Sequence, residues 1–321
     1  MITTCKENAK KLLQPDADFS EVCYLAEIVG EYGGTADGNY VNRKRILVGI
    51  LFTEDKTPYE NLIRYLLIEE IKDRETHWLQ GIGLALELAV FLLKPFSREE
   101  DVKLFAKAKK ANFDTFAGFD ADNLFFKSDV SNFAIDEAIR LAQDLEEYEY
   151  SASLIELWKN EQIEWDEKNL TQLHSYERFQ KNAEGELAAL LALFALKKEK
   201  ANDWDFCSLA QDIAKKQLEL GQMQAAFETV QQMLPRLMKV DGWQNVGLGR
   251  FIMEVCMDLV IASDKQDALQ IWNHMKLHLS KMKNMHWNLY EKAANAAAKM
   301  RDNGLSKSLL DALEWEKKKL R

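Results

Sequence analysis

Only four prolines and 14 glycines interrupt the 321 residues, and this scarcity of chain breakers is what most constrains the fold. Leucine and alanine number 43 and 33, against 12 valines and 16 isoleucines, so the residues that fill the gaps between breakers are helix formers rather than strand formers. An all-β fold is excluded, and the expected class is all-α. Apolar residues make up 47% of the chain and charged residues 29%, which separates it from chains too polar to offset their entropy by burial. The length suggests about two domains.

Helix starts are legible where an N-cap residue is followed three positions on by Glu or Gln. Thr57 with Glu60, Ser97 with Glu100, Asp241 with Gln244 and Ser263 with Gln266 all fit, and Pro58 strengthens the first. Apolar spacing then gives helices near 3–13, 20–32, 40–53, 58–74, 76–94, 98–111, 130–148, 150–161, 166–181, 183–200, 204–220, 222–238, 244–262, 264–280, 285–302 and 305–319. The segment 46–52 is short and partly β-branched, so strand and helix compete; with no partner strand in view it reads as a buried helix. The uncharged run 187–196 reads as a buried central helix, apolar on every side. It is shorter than a membrane span, as is 84–93, which contains Glu87. Residues 111–127 break the helical period with five Phe among Asp, Asn and Gly, which places a boundary between an N-terminal region, 1–126, and a C-terminal region, 127–321. The Gly-rich segment 31–39 reads as a loop between two helices. No G-K-[ST] follows it, so it is not a phosphate cradle. Gly247 and Gly249 form a lone pair within a helical pattern.

The C-terminal part repeats one layout. A helix with Leu209, Ile213 and Ala214 ends at Gly221, and a second carries Ala226, Val230, Met233 and Leu237 on one face. The next unit places Ile252, Val255, Cys256 and Leu259 before the turn at Ser263, then Ala268, Trp272, Met275 and Leu279. Ala226, Ala268 and Ser308 follow one another at intervals of 42 and 40 residues. On these residues the segment 204–320 resembles the tetratricopeptide-type helix–turn–helix repeats. The resemblance implies helical hairpins stacked as an α-solenoid, a TPR-like or HEAT-like superhelix, whose usual work is binding proteins or peptides. A single pair cannot cover its own apolar stripe, so stacking is also what burial demands.

Charge is unevenly spread. The net charge of −10 argues against a nucleic-acid binder. Residues 114–206 carry −12, whereas 264–321 carry +5. The acidic block supplies the candidate binding residues Glu146, Glu147, Glu149, Glu161, Glu164, Asp166 and Glu167, a surface suited to a basic partner. Such blocks also serve as plain solvated faces.

Catalytic signatures are lacking. No H-E-x-x-H, G-x-S-x-G or C-x-x-C occurs, and no cofactor is expected. His274 and His278 stand one helical turn apart as weak metal candidates, but two imidazoles are half of a structural zinc set. Asp73, His77 and Glu70 suggest a surface hydrogen bond. The four cysteines, Cys5, Cys23, Cys207 and Cys256, read as reduced thiols, and the eight Trp as interhelix packing. The polar start resembles no secretory signal, so a cytoplasmic protein with a protein or peptide partner is expected, with neither membrane nor nucleic acid involved. The alternatives are a helical metal-dependent or acid–base enzyme, with its site near His274 and His278 or near His174, and an immunity protein or inhibitor that neutralises a basic toxin.

Overall fold

The computed structural model describes residues 1–29, 34–77, 81–96, 98–129, 133–282 and 285–319. Among the described residues helix accounts for 72%, in 16 α-helices and short 3-10 turns, far above the roughly 30–35% of ordinary globular domains, so the all-α expectation holds. No helix among the described residues is long and apolar enough to cross a membrane. Contacts resolve the chain into two compact units, Met1–Glu161 and Gln162–Arg321.

The first unit contains α1 (Ile2–Lys11), a hairpin of β1 (Ala26–Val29) and β2 (Gly34–Asp37), α2 (Tyr40–Leu51), α3 (Glu60–Thr76), α4 (Leu84–Leu93), α5 (Glu99–Lys109), α6 (Phe113–Gly118), α7 (Ile135–Asp144) and α8 (Tyr148–Glu161). The segment 46–52 is helical as expected: Ile46, Leu47, Val48 and Ile50 are buried in α2, and its β-branched residues find apolar neighbours on α1, α3 and α4. α1 packs so closely on α2 that a Cβ at Gly49 would collide with the Cys5 carbonyl.

Three local expectations are corrected. Of the expected helix 20–32, the described residues 20–29 are not helical. β1 pairs antiparallel with β2, Ala26 opposite Asp37 and Val29 opposite Gly34. An isolated two-stranded ribbon is marginal in water. Here the Asp37 carboxylate holds its end, accepting from the Leu25 amide at 2.9 Å and the Asn39 amide at 3.0 Å. The Gly-rich segment is thus partly β2 and the turn into α2; its residues 31–33 lie outside the described residues. The expected helix 76–94 is interrupted, because Gly81 and Gly83 adopt φ of 129° and 84° before α4 begins. The connection 111–127 contains the short α6 and lies inside the first unit, with Phe119 buried in its core, rather than between the units.

The second unit contains α9 (Glu167–Phe179), α10 (Ala183–Lys197), α11 (Asp203–Glu219), α12 (Met223–Leu237), α13 (Gly247–Ala262), α14 (Lys265–Leu279), α15 (Trp287–Lys299) and α16 (Asn303–Lys319). α9 pairs with α10, α11 with α12, α13 with α14 and α15 with α16, while α11, α13 and α15 pack successively on one another. Ala226 and Ala268 are fully buried at these contacts, but Ser308 is exposed, and Leu309 and Leu313 face inward instead. The run 187–196 is one-sided: Leu187, Leu190 and Leu193 are buried, whereas Leu191 and Leu196 are 44% and 49% exposed.

One turn geometry recurs. Glu146, Lys181, Gly221 and Arg301 each follow a helix with φ of 55–71°. In each case the next amide reaches five residues back, Glu147 to Ala142, Asn182 to Glu177, Gln222 to Gln217 and Asp302 to Ala297, at 2.8–3.0 Å. This is the Schellman closure, which satisfies the last helical carbonyls and starts the next helix within two residues. The α13/α14 turn differs, since Ser263 is extended and Asp264 rather than Ser263 caps, accepting from Gln266 and Asp267. The expected cap at Asp241 is absent too. Gly242 takes φ 69°, a 3-10 turn covers Trp243–Asn245, and α13 starts at Gly247. At Gly249 a Cβ would strike the Trp243 carbonyl, so that glycine sets the close fit of this turn. Asp55, not Thr57, accepts at the entry to α3, at 2.9 Å from the Thr57 amide, and Ser97 lies outside the described residues.

Candidate functional site

The acidic residues divide by what they do. Glu147 lies 3.4 Å from Arg45, Asp166 caps α9 by accepting from the Asn169 amide at 2.8 Å, and Glu167 pairs with Lys197 at 2.7 Å. These three are engaged in local structure. Glu146, Glu149, Glu161 and Glu164 are exposed, and their side chains make no ion pair among the described residues. Glu146, Glu147, Glu149 and Glu161 belong to the first unit, and Glu164, Asp166 and Glu167 to the second. In the first unit α8 also exposes Tyr150 and Leu157, seven residues apart and so on one helix face, away from the buried Ser151, Ile155 and Trp158.

The histidines are separated by role. His274 is exposed on α14. His278 packs its ring 5.2 Å from that of Trp243, and partial burial with Lys281 nearby depresses its pKa. His286 caps α15, accepting from the Asn288 amide at 3.4 Å. Among the described residues no three His, Cys, Asp or Glu side chains converge to hold a metal ion. Cys207 and Cys256 are buried, and desolvation pushes both thiols up to about 12.

Two of the concavities in the second unit stand out. The first, about 420 Å³, is lined by α9, the turn after it, α10 and α11. On its floor the buried Glu186 lies 3.3 Å from His174 Nε2 and 2.6 Å from Lys216 Nζ, and Lys216 also reaches Glu219 at 2.5 Å. Burial opposes the Lys216 charge, but these carboxylates outweigh it and hold the ammonium above its usual range. Arg178, Lys181 and Lys215 line the same cleft and make no ion pair or side-chain hydrogen bond among the described residues. Asp212 faces them; desolvation raises its pKa against the pull of His174, Lys215 and Arg178.

The second concavity, about 690 Å³, runs between α12 and α14. Phe227, Gln231, Leu234, Pro235 and Met238 recur at helical spacing on one wall, with Gln270, Ile271, Asn273 and His274 on the other. Phe227, Leu234 and Ile271 are the buried apolar floor, and the Gln231 and Gln270 carboxamides join across it at 2.8 Å. Pro235 has no N–H to offer the Gln231 carbonyl one turn earlier, so this wall carries a backbone acceptor outside the regular helical ladder.

The sequence also hides a charge cluster inside the first unit. Fully buried Arg43 pairs with Asp37, with Glu70 at 2.6 Å and with Asp73 at 4.0 Å, while Arg74 pairs with Asp73. Among the described residues Glu70 Oε2, Asp73 Oδ1 and Arg74 Nε find no hydrogen-bond partner. The expected surface hydrogen bond around Asp73 and Glu70 is therefore a buried network anchoring β2 to α2 and α3. Its signal was Arg43 and Glu70 falling on the apolar faces of their helices, a position that a charge occupies only when paired. No protein-family model, no curated protein and no solved structure matches this chain.

Proposed function

We propose that the chain is a protein- or peptide-binding module whose C-terminal hairpins stack as an α-solenoid resembling the tetratricopeptide type. The α12/α14 groove carries this reading. Its two walls come from the second helices of successive hairpins, which is where stacking creates a repeated furrow. The floor is apolar, the carboxamides of Gln231, Gln270 and Asn273 stand above it, and the Gln231 carbonyl is an unspent acceptor. That combination matches an extended peptide, which offers apolar side chains and backbone N–H and C=O groups together. From Phe227 to Met238 the wall spans about 17 Å at 1.5 Å per residue, enough for about five extended residues. The free carboxylates Glu146, Glu149, Glu161 and Glu164 add long-range attraction for a basic partner.

Panning a displayed random-peptide library against the protein tests this. Apolar-rich peptides should be enriched, and Met238→Glu, a change at a side chain 40% exposed, should weaken their binding at least about tenfold without lowering the melting temperature. Failure to enrich any peptide, or equal binding by the variant, refutes the groove.

A further inference from the structure

The cleft of α9, α10 and α11 draws part of its lining from the most acidic stretch of the sequence, yet three of its cations make no ion pair among the described residues. We infer that it binds a phosphate monoester, held by Arg178, Lys181 and Lys215. The reasoning begins with what satisfies the other charges. Lys216 is committed to Glu186 and Glu219, and Glu186 also faces His174, so these groups form a closed network on the floor. Arg178, Lys181 and Lys215 come from three different segments, the last turn of α9, the turn after it and the C-terminal half of α11, and line one space. Asp212 is outnumbered by these three cations, which still repel one another, and a bound anion relieves that repulsion.

The identity of the anion follows from the number of donors and the shape of the cleft. Arg178, Lys181, Lys215 and Lys216 against Glu186, Asp212 and Glu219 leave the lining with a positive surplus, and the three unpaired cations present donors from three segments. A phosphate monoester is close to dianionic at neutral pH and offers three acceptor oxygens, one for each cation, with Arg178 able to bind two oxygens at once. Asp212, which faces these cations, opposes the anion by like charge. The cavity, about 420 Å³, exceeds the phosphate itself and leaves room for the group that carries it. Neither Arg178, Lys181 nor Lys215 lines the α12/α14 groove, so this site stands or falls apart from peptide binding there.

Titration calorimetry at low ionic strength, with inorganic phosphate, O-phosphoserine, and a serine peptide in phosphorylated and unphosphorylated forms, tests the assignment. Phosphate and phosphoserine should bind the wild-type protein saturably. Arg178→Gln combined with Lys215→Gln should weaken both at least about tenfold. Both side chains are exposed and unpartnered, so circular dichroism and melting temperature should stay as in the wild type. Asp212→Asn should tighten phosphoserine binding several-fold, roughly what removing one like charge beside a dianion yields. Tighter binding of the phosphopeptide than of phosphoserine identifies a modified partner as the source, and equal binding identifies a free phosphorylated compound; both uphold the site. No saturable binding of any phosphorylated probe, or binding unchanged in the folded double variant, overturns it.

Discussion

Glu70 sets two large forces against each other, and pH reads which one wins. Its carboxylate is 2.6 Å from Arg43, an arrangement that by itself lowers a carboxyl pKa, yet it is wholly buried beside Asp73. Three carboxylates, Asp37, Glu70 and Asp73, share two guanidinium groups, Arg43 and Arg74, so one negative charge is left over. Desolvation prevails, with Asp73 adding to it against the pull of Arg43 and Arg74, and the Glu70 pKa rises from 4.5 to about 7. The folded protein then holds a proton more tightly than the unfolded chain does. Stability from this source is fully present below pH 4.5 and is lost as pH rises through 7. A shift of about 2.5 units at about 1.4 kcal/mol each corresponds to about 3 kcal/mol in all. Urea unfolding of the wild type and of Glu70→Gln, followed by far-ultraviolet circular dichroism from pH 4.5 to 8.5, isolates it. The variant has no proton to lose at this position, so the wild-type stability relative to the variant should fall by about 3 kcal/mol across the range. A difference that stays flat, or that grows with pH, refutes the reasoning, because either result means the Arg43 pair outweighs desolvation and Glu70 remains ionised.

Three further outcomes separate packing from surface. Leu190, 2% exposed, and Leu191, 44% exposed, are neighbours on α10: Leu190→Ala should cost about 2–5 kcal/mol in denaturant unfolding and Leu191→Ala less than about 0.5. Replacing Glu146, Glu147 and Glu149 together by Gln should slow association with a basic partner at low salt. It should cost at most about 1 kcal/mol of stability, because only the partly exposed Glu147–Arg45 pair is lost. Pro235→Ala restores an amide donor to α12, so it should raise the melting temperature while weakening any peptide selected on the groove; a lower melting temperature would show that the proline packs better than the helix it interrupts.

Helical periodicity made most of the fold legible, because Leu and Ala at regular spacing need nothing distant to specify their conformation. The same logic explains the misses. β1 and β2 are four residues each, and what holds them is Asp37 meeting Arg43 and the Leu25 amide, contacts that no local window contains. The run 187–196 looked buried all round because composition does not say which side has a neighbour; Leu187, Leu190 and Leu193 have one, and Leu191 does not. Caps slipped by a residue or two where two capping side chains lay close together, Asp264 displacing Ser263 and Asp55 displacing Thr57. The acidic block was plain as a net count, yet a count cannot register that Arg178 and Lys181 within it meet Lys215 from outside it to make a cationic cleft.

The recurring turn links these observations to function. A Schellman closure followed at once by a new helix fixes how far the second helix of a hairpin departs from the first, and it recurs at Glu146, Lys181, Gly221 and Arg301, at intervals of 35, 40 and 80 residues. Only Gly221 takes the left-handed conformation without steric cost; at the other three sites a side chain is retained at a penalty of roughly 1 kcal/mol or more. If the turn were only a hinge between helices, Lys181→Gly would be a neutral or stabilising change, since glycine relieves the strain and leaves both amide bonds in place. With Lys181 as one of the three phosphate-holding cations, the same substitution should keep or raise the melting temperature and still weaken phosphoserine binding. Stability and affinity are then expected to move in opposite directions at one residue, which neither a damaged fold nor an inert surface lysine would produce.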